Sequence, residues 1–75
     1  MVKMIKREDN KMEVSYDCYV DNLNNVIILS VDKNTLELIN IPNNFNLDLS
    51  TAYGKICRYL QHHKELPNQM IAEWG

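Results

Sequence analysis

Residues 14–21 read VSYDCYVD, and every second residue in this stretch is apolar. Successive side chains of a strand point to opposite faces, so an apolar period of two predicts a half-buried β-strand. The buried face of such a strand needs a second layer to cover it. The residues expected on the buried face are Val14, Tyr16, Cys18 and Val20, and those on the other face are Ser15, Asp17, Tyr19 and Asp21.

Three further segments have the composition of strands. Residues 26–31, VIILSV, are nearly all apolar, which is typical of a central strand covered on both faces. Residues 35–41, TLELINI, predict another strand, and Pro42 ends it because proline cannot donate to a sheet. Residues 2–7 are a candidate fourth strand.

Clusters of aspartate and asparagine separate these segments. They lie at residues 9–11, 21–25 and 32–34, about 12 residues apart. Both residue types favour turns, because their side chains bond nearby backbone and asparagine tolerates the left-handed conformation. The spacing predicts the turns of an antiparallel meander.

The segment KICRYLQHHKEL, residues 55–66, belongs to a predicted helix that runs from residue 50 to about residue 65. Ser50 or Asp48 is the expected N-cap. Apolar residues in this region recur at helical spacing, which predicts one buried stripe. The stripe consists of Leu49, Tyr53, Ile56, Cys57 and Leu60.

The segments on either side of the helix complete the fold prediction. In the connector, Phe45 and Leu47 are expected to tuck under the domain. After the helix, Pro67 is expected to start a short helical turn. That turn would present three residues on one side: Met70, Ile71 and Trp74.

The chain is therefore predicted to be one α+β domain over residues 1–75. Its sheet is a three- or four-stranded antiparallel meander, with one main helix packed on it and a short C-terminal helical turn. A chain of 75 residues buries only roughly 60% of its unfolded surface, so its stability is expected to be marginal.

Composition narrows the class of function. The net charge of −2 predicts neither strong nucleic-acid affinity nor attraction to a membrane. Two cysteines cannot form a disulfide framework, and no stretch resembles a signal peptide or a membrane span, which favours a cytoplasmic protein with reduced thiols. Ten asparagines against two glycines indicate an AT-rich coding sequence of the kind common in phages and mobile elements.

No pattern in the chain predicts a catalytic, cofactor or metal site. Cys57 lies five residues before His62 and six before His63, whereas helical metal ligands need a spacing of three or four. Asp17 and Asp21 would lie about 13 Å apart on a strand, too far to share a proton. A phosphate loop is excluded because one of the two glycines lies in the helix and the other is the last residue.

The outer face of the helix carries the predicted partner site. Lys55, Arg58 and His62 are three or four residues apart, with Tyr59 beside them. Arginine and tyrosine are favoured in interfaces because one offers a planar donor fork and the other a rigid contact area. Trp74 is the fifth predicted contact residue.

The strands also carry more apolar surface than one helix can cover. If Ile27, Leu29 and Val31 face the helix, then Val26 and Ile28 point away from it. The cover for this second face would be the C-terminal turn, a second copy of the chain or another protein. We therefore predict a non-enzymatic protein-binding module, homodimeric, of the kind that phages or mobile elements encode to inhibit or modulate a host protein.

The alternative hypothesis is a small nucleic-acid-binding accessory protein. It would use a basic N-terminus and part of the helix. Acidic side chains in the middle of the chain oppose it, because they would repel phosphate. The basic residues of this alternative are Lys3, Lys6, Arg7, Lys55 and Arg58.

Overall fold

Four antiparallel strands form one sheet, and one helix packs on it. The computed structural model describes residues 1–20, 26–43 and 45–73. The α+β class and the main helix are confirmed, as is a strand at the start of the chain. The elements are β1 (Val2–Asp9), β2 (Glu13–Val20), β3 (Ile27–Asp32), α1 (Leu47–Gln61) and β4 (Gln69–Ala72).

The strand order across the sheet is β3-β2-β1-β4. β1 and β2 form a hairpin whose turn is held by Asn10, because its Oδ1 accepts from the backbone N–H groups of Met12 and Glu13 at 2.8 and 3.0 Å. Residues 26–31 were predicted to be a central strand, but β3 lies at one end of this order and has only one face covered.

The predicted strand at residues 35–41 is wrong. Asp32 Oδ1 accepts from the N–H groups of Asn34 and Thr35, and the resulting turn places Leu36 in the left-handed region at φ 66°. After that turn, Leu38 forms an isolated bridge to Val31. A side-chain turn therefore displaces the strand that the apolar pattern favoured.

The predicted C-terminal helical turn is also wrong, because residues 69–72 form β4. Lys6 N–H donates to the Asn68 carbonyl at 2.7 Å and begins an antiparallel pairing with β1. Met70 is buried in the core and Ile71 is exposed on the opposite face, so the two do not face one way. In so short a segment, pairing with a neighbouring strand outweighs local preference.

The helix begins and ends earlier than predicted. Asn46 is the N-cap, with its Oδ1 accepting from Leu49 N–H at 3.0 Å, in place of Ser50 or Asp48. Asp48 lies in the first turn instead, where its negative charge interacts favourably with the positive end of the helix dipole. Phe45 and Leu47 do not tuck under the domain, since both are exposed.

The core lies between α1 and one face of the sheet. Buried Leu49, Ala52 and Ile56 of the helix face the sheet, and Tyr53, Cys57 and Leu60 pack at their edges. The sheet contributes Val2, Met4, Val14, Tyr16, Cys18, Val20, Leu29, Val31, Met70 and Ala72 to this core.

Among the residues described, no helix is long and apolar enough to cross a membrane.

Tyr16 fastens the sheet to the segment between α1 and β4. Its ring is fully buried, and its hydroxyl donates to the Pro67 carbonyl at 2.6 Å. Burial raises the pKa of this hydroxyl well above its usual range, so it remains a neutral donor. This bond joins groups 51 residues apart in the chain.

Replacing Tyr16 by Phe should lower the free energy of unfolding by about 1–2 kcal/mol, because the Pro67 carbonyl loses its donor. Urea denaturation measures the change. Tyr19→Phe is the matched control in the same strand, since the Tyr19 hydroxyl has no partner among the described residues, and it should change stability by less than about 0.5 kcal/mol. Equal effects of the two variants would contradict this role.

Candidate functional site

The sheet face opposite α1 is the first candidate site, and we call it the open face. Pairing across the sheet aligns Ile71, Lys3 and Tyr19 in one row. A second row aligns Gln69, Ile5, Asp17 and Ile28. Alternation along β3 places Val26 on the same face as Ile28.

Five large apolar side chains on or beside the open face stay between 40% and 49% exposed. Leu29 and Val31 are fully buried under the helix while Val26 and Ile28 are exposed, so the predicted division of β3 between two faces is confirmed. Ile39 reaches this face because its N–H donates to the Ser30 carbonyl. The five are Tyr19, Val26, Ile28, Ile39 and Ile71.

The C-terminal segment does not cover the open face in the part of the chain that is described. β4 extends the sheet at its edge, and Ile71 adds to the exposed apolar surface. Trp74, the predicted anchor of this cover, lies outside the described residues, so its role stays a prediction.

Charges of both signs are interspersed on the open face. Asp17 lies between Ile5 and Ile28, and Arg7 reaches it from the irregular pairing of β1, with Nη1 3.1 Å from Oδ1. Lys3 lies in the neighbouring row, and Glu8 is paired with Ser15. Glu13 and Asp32 are paired with each other and, by alternation along β2 and β3, lie on the same side at one end of the sheet. The open face therefore carries both signs of charge, with acidic residues concentrated at that end.

The predicted partner site on the outer face of the helix is the second candidate site. The structure separates one of its residues from the others. Lys55 turns away to the sheet edge, where its Nζ donates to the Ile71 carbonyl at 2.6 Å. Arg58, Tyr59 and His62 lie together and line a shallow concavity of about 250 Å³ with Lys64. We call these four residues the basic concavity.

Sequence periodicity missed Lys64 because the helix ends before it. His63 adopts the left-handed conformation at φ 54°, and the chain then reverses over the last turn. His63 N–H donates to the Leu60 carbonyl at 3.2 Å, and Lys64 N–H donates to the Tyr59 carbonyl at 3.0 Å. These two bonds form a Schellman motif, which glycine usually completes and which brings Lys64 back beside Arg58.

The basic residues of the nucleic-acid hypothesis do not share one surface. Lys3 and Arg7 lie on the open face, whereas Lys55 and Arg58 belong to the helix layer. Lys6 lies between these layers, where its Nζ donates to the Leu66 carbonyl at 3.0 Å and to an Asp9 carboxylate oxygen at 3.3 Å.

Asp9 is held by two cations. Lys6 and Lys33 both bond its carboxylate. The bond from Lys33, followed by that from Lys6, lowers the pKa of Asp9 below its ordinary value. This cluster ties β1 to the turn after β3 and to the segment after α1.

The two cysteines lie in different environments. Cys18 is fully buried, and burial raises the pKa of its thiol to about 12. Cys57 is half-buried at the helix edge, where its thiol contacts the Leu36 carbonyl at 3.7 Å. Across residues 1–20, 26–43 and 45–73, no three His, Cys, Asp or Glu side chains are grouped so that they could hold a metal ion.

Comparison of the chain with protein-family models, curated proteins and solved structures found no match.

Replacing His63 by Gly should raise the free energy of unfolding by about 0.5–1 kcal/mol, because glycine adopts the left-handed conformation without a Cβ clash. His62→Gly is the matched control: His62 has φ −93°, so no strain is relieved and stability should fall by a similar amount. Thermal melts of both variants test this. A loss of stability in His63→Gly would mean that the His63 side chain stabilises the fold.

Cys57 should react with a maleimide in the folded protein, whereas Cys18 should react more than about tenfold more slowly until urea unfolds the chain. The reason is that Cys18 is both inaccessible and protonated at neutral pH. Mass spectrometry of the wild type and of Cys57→Ser follows the two thiols separately. Rapid labelling of Cys57→Ser without denaturant would contradict the packing of Cys18.

Proposed function

We propose that this chain is a non-enzymatic protein-binding module that self-associates as a homodimer through its open face. The observation that carries the proposal is the set of five half-exposed apolar side chains on or beside that face. Large exposed apolar patches on small proteins mark interaction surfaces. Tyrosine at position 19 is a residue type that dominates binding energy in such interfaces.

The energy available for this contact predicts a weak dimer. Each of the five side chains is already about half-buried, so complete burial recovers on the order of 1 kcal/mol. Two copies together gain on the order of 10 kcal/mol, which is comparable with the cost of association, about 4–15 kcal/mol. We expect half-association at about 10–100 µM.

The charges of the open face favour a second copy as the occupant. Lys3 and Asp17 lie on neighbouring strands, one row apart. A twofold axis that passes between them places Lys3 of each copy beside Asp17 of the other copy. Opposite charges are therefore paired twice. A face carrying one sign of charge would instead favour a partner of the opposite sign.

The helix layer stays accessible in such a dimer, because it lies on the other side of the sheet. Host-protein inhibition or modulation by a phage or mobile-element protein remains part of the proposal, and the asparagine-rich composition supports it. The scattered basic residues give the nucleic-acid alternative little support.

Replacing Ile28 by Lys should weaken self-association at least about tenfold, because the ammonium group would be desolvated in the interface. Light scattering coupled to gel filtration between about 10 and 500 µM measures the oligomeric state. Met12→Lys is the matched control, since Met12 is 63% exposed in the β1–β2 turn and lies off the open face. This control should associate like the wild type.

A wild-type chain that remains monomeric throughout this concentration range would contradict the proposal. So would a dimer that Met12→Lys disrupts while Ile28→Lys leaves it intact.

A further inference from the structure

The side chains of the basic concavity have no partners of their own. Within the described residues, Arg58, His62 and Lys64 make no side-chain hydrogen bond or ion pair, although they lie around the same space. Of the six other lysines and arginines, Lys3 and Lys11 likewise have no side-chain partner among the described residues, and four are engaged with a carboxylate or a backbone carbonyl. Those four are Lys6, Arg7, Lys33 and Lys55.

Among the residues that the structure describes, no carboxylate lines the basic concavity. The adjoining cavity of about 410 Å³, around Lys33 and His63, differs because Asp9 and Glu65 are among its lining residues. Lys6 and Lys33 both bond to Asp9 there. Of these two cavities, only the basic concavity presents positive charge with no carboxylate among its described lining residues.

The end of the helix could repel an anion through its free carbonyls, but the chain reversal occupies three of them. The Arg58, Tyr59 and Leu60 carbonyls accept from the N–H groups of His62, Lys64 and His63. The remaining dipole at an exposed helix end is weaker than a charged hydrogen bond. The same reversal that satisfies these carbonyls also positions Lys64.

We propose that the basic concavity binds a phosphate dianion, either free or as a monoester of a small molecule. Arg58 and Lys64 supply two positive charges, which match the charge of −1.5 to −2 that a phosphomonoester carries near pH 7. The guanidinium fork of Arg58 pairs with two phosphate oxygens, while Lys64 and His62 reach the third. The Tyr59 hydroxyl at the rim completes the donor set.

This binding does not depend on the proposed dimer. The basic concavity belongs to the helix layer, whereas the open face lies on the other side of the sheet. Ile28→Lys, which is designed to weaken self-association, should therefore bind phosphate with wild-type affinity.

Titration of the ¹⁵N-labelled chain with sodium phosphate at constant ionic strength tests the proposal by NMR. The Arg58 side-chain N–H and the amides of Tyr59, His62 and Lys64 should shift saturably, with a dissociation constant of about a millimolar. Arg58→Gln and Lys64→Gln should each weaken binding about tenfold. Lys11→Gln removes the same charge outside the concavity and should leave the affinity within about twofold.

Three further titrations distinguish the ligand. Phenyl phosphate that binds more tightly than inorganic phosphate assigns the site to a monoester, whereas equal affinity assigns it to the phosphate group alone. Sodium acetate should produce no saturable shift. A tri-glutamate peptide that binds more tightly than phosphate would overturn the proposal in favour of an acidic protein surface, and so would shifts that Arg58→Gln leaves unchanged.

Discussion

The 15-residue helix α1 covers one face of the four-stranded sheet, and the described residues contain no second helix for the other face. At a rise of about 1.5 Å per residue the helix is about 22 Å long, enough to cross the sheet once. Every strand therefore has one side committed to the core. The opposite side exposes apolar residues, Ile28, Ile71 and Tyr19 among them, and it is the side through which we propose that the domain binds.

The two layers give the molecule two surfaces of different chemistry. The sheet presents apolar side chains interspersed with charges of both signs, and this is the surface that we propose for contact with a second copy. Arg58 and Lys64 have no counter-charge among the described residues of the helix layer, although the chain as a whole has a net charge of −2. We propose that the domain assembles through one layer and binds an anionic ligand through the other.

Sequence reasoning succeeded where one strong pattern decided the structure. The alternation through residues 14–20 predicted β2, and the apolar stripe around Ile56 predicted the buried side of the helix. The failures lie where contacts distant in sequence outweigh local preference. Residues 69–72 form a strand because they pair with the free edge of β1. Residues 35–41 do not form the predicted strand because of the turn at Asp32.

The candidate sites were predicted to a similar degree. The exposure of Val26 and Ile28 could be predicted because one helix covers only one face of the sheet, whereas both faces carry apolar residues. The basic concavity could not, because helical periodicity stops where the helix stops. Lys64 lies beside Arg58 because His63 adopts the left-handed conformation. The two adjacent histidines in the sequence do not predict that conformation.

Contact between two open faces is the central claim, and intermolecular NOEs test it most directly. A mixed sample of ¹³C-labelled and unlabelled chains, held above the association concentration, reports only contacts between copies. If two open faces pack together, NOEs should connect the Ile28 and Val26 methyl groups to open-face protons of the other copy. Intermolecular NOEs confined to residues of α1 would contradict it.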